Sequence, residues 1–460
     1  MELQMRRSLA FICLLASFNA VNADDTPPNI VMIISDDQTW TDYSFMGHQV
    51  IQTPNLDRLA RGSAVFRRGY VPIALCRPSL VSMITGLYPH QHGITGNDPW
   101  RSADIPADTY EAQRAQLISK IDKCDTVPEL LARRGYLSHQ SGKWWEGNFK
   151  RGGFTHGMTR GFPQKGGRHG DDGLKIGREG MTPVLDFVDM AVEQKKPFFL
   201  WYAPFLPHTP HNPPERILKK YRQDGRHISE AKYYAMCDWF DETCGQLTDH
   251  LDKAGVADNT MIVYVTDNGW IQKTPDTKVP AGWRPSFAPR SKQSPYEGGT
   301  RTPILVKWPG KIKPQERPEV VSSIDLVPTM LRAAGAEVPD ILPGIDLLPV
   351  ISGTETLDRK HLFGESYAHD VADIENLEDT LLFRWVIEDK WKLLLTYDGK
   401  VNRYKPVHLR EEKRPQLFDL IADPHETKNL AGENPEVVSR LAKALDNWWK
   451  VTERNVVTEF

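Results

Sequence analysis

The sequence predicts an α/β protein in which helices cover both faces of a mostly parallel sheet, followed by a smaller α+β unit. Three observations predict it. Apolar runs of strand length alternate with helical patterns over the first three quarters of the chain, as in a parallel sheet built from βαβ units. Runs such as NIVMIIS (29–35) and MIVYVT (261–266) are continuously apolar, the pattern of strands buried on both faces. Beyond residue 351 the alternation gives way to consecutive strand patterns and one terminal helix.

The chain opens with Arg6 and Arg7, an apolar stretch over 9–18 and small residues ending at Ala20 or Ala23, the layout of a secretory signal. Residues 1–23 are therefore expected to be removed, and the mature protein to be exported, periplasmic or secreted. That stretch is too short to span a bilayer, and no later segment is apolar enough to do so. After the strand at 29–35, Thr53 as N-cap and Pro54 at the first helical position open a helix with an apolar stripe of Leu56, Leu59 and Ala60. Thr126 and Glu129 have the spacing of a capping box, and Gly135 ends that helix before a short strand at 136–140. From 229 to 253, Tyr233, Met236, Cys237, Phe240, Cys244, Leu247 and Leu251 recur at steps of three and four, giving one long amphipathic helix stopped by Gly255. A strand over 303–308 and a helix over 325–334 follow. In the last part, 381–386 and 390–396 read as antiparallel strands and 434–450 as a helix. The domain division that results is 24–351 and 352–460.

The 460 residues include 57 basic and 60 acidic side chains, a formal net charge of -3. That balance excludes a general affinity for nucleic acid or an anionic membrane, so any anionic substrate must be held by local clusters. Cys76, Cys124, Cys237 and Cys244 do not form a disulfide framework. Cys237 and Cys244 lie roughly 10 Å apart along one helix, beyond the reach of a bridge.

In an open parallel sheet, ligands bind beyond the carboxyl ends of the strands. Four polar segments occupy such positions: Asp36-Asp37-Gln38, Gly142-Lys143-Trp144-Trp145, Pro207-His208-Thr209-Pro210-His211 and Asp267-Asn268-Gly269. Either acidic segment alone could simply make a turn. Together, two carboxylates at one strand end and an Asp-Asn pair at another form an oxygen-rich set suited to calcium or magnesium. Cys76 precedes Pro78, which fits the first position of a helix, and a helix N-terminus favours an anionic nucleophile and an anionic substrate.

The segment CRPSLVSMITG (76–86) resembles the C-x-P-S-R motif and following helix of the sulfatase family. The paired Asp36-Asp37, the GKW at 142–144, PHTPH, Asp267-Asn268-Gly269, KQSPYEGGTR at 292–301 and the closing LFDL…DP…ETKNL at 417–430 resemble the family in the same order. The resemblance implies an alkaline-phosphatase-like fold and one divalent cation held by Asp36, Asp37, Asp267 and Asn268, calcium with magnesium as the alternative. It implies that a maturation enzyme oxidises Cys76 to formylglycine, whose hydrate attacks a sulfate ester, with a sulfated carbohydrate as the expected substrate. Lys143 and Lys292 would neutralise the sulfate oxygens, and His208 would protonate the leaving alcohol. His211 is a secondary candidate for substrate contact. His90 and His92 are expected to be structural.

Two residues depart from the pattern. Leu80 stands where the motif has Arg, and Trp145 where the family has His after GKW. Arg77 is a candidate to supply the missing guanidinium, although a residue before proline is biased out of helical geometry. Trp145 could stack on a sugar ring or pack in the core. Two alternatives follow: hydrolysis of phosphate monoesters or phosphonates by the same metal site, or a non-catalytic carbohydrate-binding relative.

Overall fold

The protein is described by a computed structural model over residues 26–270, 290–397 and 414–457; the expected leader at 1–23 lies outside the described residues. Seven consecutive buried residues form β1 (Asn29–Ser35). It is followed by β2 (Ala64–Tyr70), β3 (Asp98–Pro99), β4 (Leu137–Gly142), β5 (His156–Gly157), β6 (Phe198–Ala203), β7 (Thr260–Thr266), β8 (Arg301–Lys307) and β9 (Gln315–Ser322). Eight of these make one sheet in the order β5-β4-β6-β1-β7-β8-β2-β9. Every neighbouring pair is parallel except those of β8, which runs against both β7 and β2.

Alternate residues of β1 face opposite sides of the sheet. Ile30, Met32 and Ile34 join one buried cluster, which also takes the helix Cys76–Thr85 through Leu80, Met83 and Ile84. Val31 and Ile33 join another, filled from the helix Ile228–Lys253 by Met236, Phe240, Cys244, Leu247 and Leu251. Both faces are thus covered, as a continuously apolar strand requires. Cys244 is free and buried within this packing, and Cys237 is free and buried in a separate cluster with Ile217, Tyr221 and Trp270.

β2 and β9 were not legible in the sequence. AVFRRGY interrupts its apolar run with two arginines, and QERPEVVS is an edge strand whose residues are buried only at its last two positions. A second difference concerns the helix at Cys76. It begins at Cys76 itself, with Leu75 as N-cap, so Pro78 is the third helical residue and Arg77 is helical despite preceding it. First-turn N–H groups have no intrahelical acceptor, so a proline anywhere in that turn removes no helical bond.

The chain then forms β10 (Leu362–Tyr367), β11 (Asp370–Val371), β12 (Leu381–Glu388), β13 (Trp391–Thr396) and β14 (Gln416–Asp419). The order β10-β12-β13-β14 is antiparallel throughout, and Val437, Leu441 and Leu445 of the helix Pro435–Trp448 pack against it. Tyr70 and Tyr296 share a buried cluster with Leu362, Trp385 and Phe418, joining the two sheets. β11 pairs in parallel with β3, which follows the Cys76 helix in the chain.

Candidate active site

Register brings the first carboxylates together. Ser35 of β1 lies opposite Thr266 of β7, so Asp36 and Asp267 leave adjacent strands side by side. Asp37, at φ 63, turns back into the left-handed region, and its N–H donates to Asp267 Oδ1 at 3.0 Å. On the other side of β6, β4 ends at Gly142 with φ +85, where a Cβ would lie 1.7 Å from the Ala203 carbonyl oxygen. Only glycine permits that turn. It delivers Lys143, whose Nζ is 2.6 Å from Asp36 Oδ1 and 4.0 Å from Asp267 Oδ2.

Lys292 comes from a later loop. Its N–H donates to the Trp270 carbonyl and that of Gln293 to the Ala74 carbonyl, stitching the loop between the Asp267-Asn268 turn and the approach to Cys76. Lys292 Nζ reaches Asp37 Oδ1 at 2.6 Å and Oδ2 at 2.9 Å. Cys76 Sγ lies 3.8 Å from Asp37 Oδ1 and accepts from Asn268 Nδ2 at 3.6 Å. Ser79, one turn along, donates to the Asp267 carbonyl at 2.6 Å, locking helix to strand end. His208 places Nε2 3.3 Å from Asp37 Oδ2, while its Nδ1 is 2.6 Å from the Thr209 carbonyl. That carbonyl can only accept, which assigns the Nδ1 proton and leaves Nε2 for chemistry.

Burial raises Asp36 and Asp267 well above the ordinary carboxylate range or in that direction, against the pull of Lys143, with neighbouring carboxylates adding to the rise. Burial works against the charge on Lys143 too, but Asp36, Cys76 and Asp267 outweigh it and the net shift is upward. Burial pushes the Cys76 thiol up to about 11, opposed by both lysines. Burial, then Lys143 and Lys292, drive His208 down.

The donor set fits a cation. Ligand atoms of Asp36, Asp37, Cys76 and His208 all lie within 4.8 Å of one another. That set differs from the expected one in having Cys76 and His208 in place of Asp267 and Asn268. The chemistry favours the oxygen set, because Asp36 Oδ2, Asp267 Oδ2 and Asn268 Oδ1 are buried with no hydrogen-bond partner. Three buried oxygens without donors, at the ends of two adjacent strands, are costly unless a cation satisfies them.

Arg77 requires a correction. Its guanidinium does not face the site but forms a bidentate pair with Glu146, both bonds 2.7 Å, at 3% and 1% side-chain exposure. The guanidinium of the helical Arg77 is committed to this partner and to the Asn97 carbonyl, which leaves it no free face for the expected substrate contact. Trp145 is buried at 4% exposure in the Cys76 cluster, with Lys143 Nζ 5.3 Å from its ring centroid. Its face is occupied by protein, so the core reading is favoured over the sugar platform. His211 is half-buried and stacked at 4.3 Å on Trp270, beside the site and outside its carboxylate cluster. His92 is buried against Ser82, and His90 is paired with Glu365.

The site also contains residues that no sequence signal marked. Arg168 pairs with Asp98 and lies 6.0 Å from the Trp145 ring centroid, and His169 packs between Trp145 and Phe205. Asn97 accepts from the Arg77 N–H. Arg178 binds the His208 loop. All sit in loops, where neither periodicity nor a strand end points to them.

The Sulfatase family profile matches residues 28–336, and the profile described as N-sulphoglucosamine sulphohydrolase, C-terminal, matches 290–450. Human arylsulfatase A is 30% identical over 93% of this chain and 89% of its own length. The N-acetylgalactosamine-6-O-sulfatase of Bacteroides thetaiotaomicron is 24% identical over 91% and 93%. The solved structure of Ps i-CgsB in complex with k-i-k-neocarrahexaose matches with TM-score 0.68 and 25% identity, covering 93% of this chain and 94% of that one. The phosphonate monoester hydrolase of Agrobacterium radiobacter matches with TM-score 0.65 and 18% identity over 94% and 100%, a likeness of fold.

Proposed function

The chain belongs to the sulfatase family, and from that premise we propose that it is an exported sulfuric ester hydrolase that removes sulfate from a sulfated carbohydrate through Cys76 matured to formylglycine. One observation carries the reading: Asp36, Asp37, Cys76 and His208 converge within 4.8 Å while Lys143 and Lys292 lie on the two carboxylates. Asp36, Asp37, Asp267 and Asn268 would hold one divalent cation, calcium or magnesium, which when bound stabilises negative charge on the nucleophile's oxygen. The carbohydrate assignment draws on the names of the relatives. Export draws on the leader pattern at 1–23; among the described residues no helix is long and apolar enough to cross a membrane.

The modification at Cys76 supplies a hydrate, with one hydroxyl to attack sulfur and a second to expel the bound sulfate. A formylglycine-generating enzyme is the partner that this requires. Lys143 and Lys292 are the buried cations of the site. Each ammonium lies on a carboxylate, and each can turn to an anion entering above Cys76. Burial first, and then the fields of Lys143 and Lys292, depress His208; an anion there would offset the lysine part of that depression, in the direction of the protonated state that a general acid needs. His208 Nε2 then gives its proton to the leaving oxygen.

The test is protein made in its own host. Mass spectrometry of the Cys76 peptide is expected to show the aldehyde, and aryl sulfate turnover is expected to exceed aryl phosphate turnover and to vanish in Cys76→Ala. An intact thiol with undiminished sulfatase activity would overturn the formylglycine reading, and a strong preference for the phosphate would overturn the substrate class.

A further inference from the structure

Arg178 lies in the turn before the helix Thr182–Glu193 and is half-buried. All four hydrogen bonds of its guanidinium go into the loop 205–212. Nε donates to the Phe205 carbonyl at 2.8 Å, Nη2 to the His208 carbonyl at 2.7 Å, and Nη1 to the Pro210 carbonyl at 3.2 Å and Asn212 Oδ1 at 2.7 Å. Its plane lies 5.1 Å from the centroid of Phe205, and Phe205 stacks at 4.3 Å on the His208 imidazole. Its partners are carbonyl and amide oxygens, and no carboxylate among the described residues forms an ion pair with it.

The loop explains why such a clamp is needed. Pro207 and Pro210 flank His208, and neither has an N–H, so the segment is poor in donors of its own, although the Asn212 N–H reaches the Pro210 carbonyl at 3.0 Å and His208 Nδ1 the Thr209 carbonyl at 2.6 Å. Its carbonyls find their donor in Arg178. A rigid planar fork can hold three carbonyls at fixed spacing, whereas a lysine ammonium on a flexible stem cannot.

We propose that Arg178 is a positioning residue for His208, fixing the 205–212 loop so that the imidazole Nε2 stays beside Asp37 and in line with the leaving oxygen. The proposal rests on the reading of His208 as the leaving-group acid. Arg178 need not touch substrate; it acts through the loop. Loss of the clamp lets the imidazole drift, and protonation is the step that suffers. Displacements of an ångström at a catalytic group are enough to reduce rate by about a hundredfold.

The test uses full-length matured enzyme, with Arg178→Gln, Arg178→Lys, His208→Ala and the double variant Arg178→Gln/His208→Ala. Each is assayed with 4-nitrophenyl sulfate, whose leaving group needs little protonation, and with 4-methoxyphenyl sulfate, whose leaving group needs more. The expected result for His208→Ala is a loss of about 10²-fold or more in kcat/KM on the methoxy ester and a much smaller loss on the nitro ester. Both Arg178 variants should show the same split, and the double variant should be no slower than His208→Ala alone. The ratio between the two esters is measured on one sample, so a partly unfolded variant lowers both rates and leaves the ratio unchanged. Arg178→Lys, which keeps the charge, remains informative if Arg178→Gln does not accumulate. Equal losses on both esters in the Arg178 variants, beside a split in His208→Ala, would overturn the positioning role. So would a double variant whose losses multiply. If His208→Ala itself shows no split, the acid assignment fails, and the double variant alone decides the positioning role: losses that do not multiply support it, and losses that multiply overturn it.

Discussion

Replacing Arg77 by Met is expected to destabilise the protein without removing a substrate contact. The guanidinium makes two 2.7 Å bonds to Glu146 and one of 3.2 Å to the Asn97 carbonyl. Both side chains are almost fully buried, at 3% and 1%. Deleting the cation strands the Glu146 carboxylate away from water, and breaking a buried pair from one side costs roughly 3–5 kcal/mol. Against a total stability of about 5–15 kcal/mol, this is a large fraction. The double variant Arg77→Met/Glu146→Leu removes both charges, and such apolar replacement is often neutral or stabilising by about 1–4 kcal/mol. Guanidinium denaturation followed by tryptophan fluorescence measures both, and kcat/KM on an aryl sulfate separates the two roles. A donor bound to the transition-state anion would cost about 10²–10³-fold when lost. The double variant should lose far less than that. Near-native stability of Arg77→Met, or a double variant that is stable yet inactive, would refute the structural assignment and return Arg77 to the substrate.

Chelation should lower both activity and melting temperature, and calcium restored at about one hundred times its Kd should return roughly 2.7 kcal/mol of stability; unchanged melting after chelation would remove the cation from the carboxylate cluster. Gly142→Ala should abolish activity in any protein that still folds, because the new Cβ would lie 1.7 Å from the Ala203 carbonyl oxygen and displace Lys143; circular dichroism beside turnover checks this, and an active variant would show that the turn is dispensable. Glu426 shares Lys392 with Glu297 in a buried cluster, and burial, opposed by Lys392 and reinforced by Glu297, raises it to about 7. A carboxyl whose folded value lies above its unfolded value of about 4.3 keeps the folded state more protonated than the unfolded one. Its stabilisation is therefore fully present below about 4.3 and is lost as pH rises through about 7. Denaturation midpoints should fall over that window, and Glu426→Gln should flatten the fall; an unaltered slope would assign it to other groups.

The parts of the fold that could be read in advance were those with a strong local signal. β1 and β7 are apolar throughout, and the residues after them had to lie at the carboxyl edge of the sheet, which is why Asp36, Asp37, Asp267 and Asn268 could be named together. The helix Ile228–Lys253 carried its stripe in its own spacing. What could not be read depended on tertiary pairing. β9 is stabilised by its neighbour β2 rather than by an apolar pattern, and β2 carries Arg67 and Arg68 at the positions where its register with both neighbours shifts. Glu146 follows Trp145 immediately, but nothing local to either segment indicates that it meets Arg77 across 69 positions. The clamp from Arg178 to the His208 loop spans 30 positions and is equally silent in sequence.

The departures at Leu80 and Trp145 have one structural context. Both residues belong to the apolar cluster that contains Cys76, while the guanidinium three residues before Leu80 is committed to Glu146. No arginine fork therefore faces the thiol from this helix, and the positive charge close to Cys76 comes from Lys143 and Lys292. Trp145 contributes to that arrangement: Lys143 Nζ lies 5.3 Å from its ring centroid and 5.4 Å from that of Phe205, between two faces that favour a cation. Three ionised carboxylates and two lysines give the cluster a net charge of about one negative unit, and the divalent cation of the proposed function would turn that into a single positive charge. A sulfate monoester carries one negative charge and would balance it, whereas a phosphate monoester carries close to two at neutral pH and would not. Two point charges also impose less directional demand than a guanidinium fork. On this reasoning, selectivity for sulfate over phosphate comes from the charge total of the site, and Lys292→Ala, which lowers that total by one, should weaken the binding of both anions, the dianion more strongly. Competitive inhibition of aryl sulfate turnover by methyl sulfate, a monoanion, and methyl phosphate, close to a dianion at mildly alkaline pH, compared between Lys292→Ala and the unmodified protein, measures the two effects. Equal weakening for both anions would show that Lys292 acts through contact geometry instead of through charge.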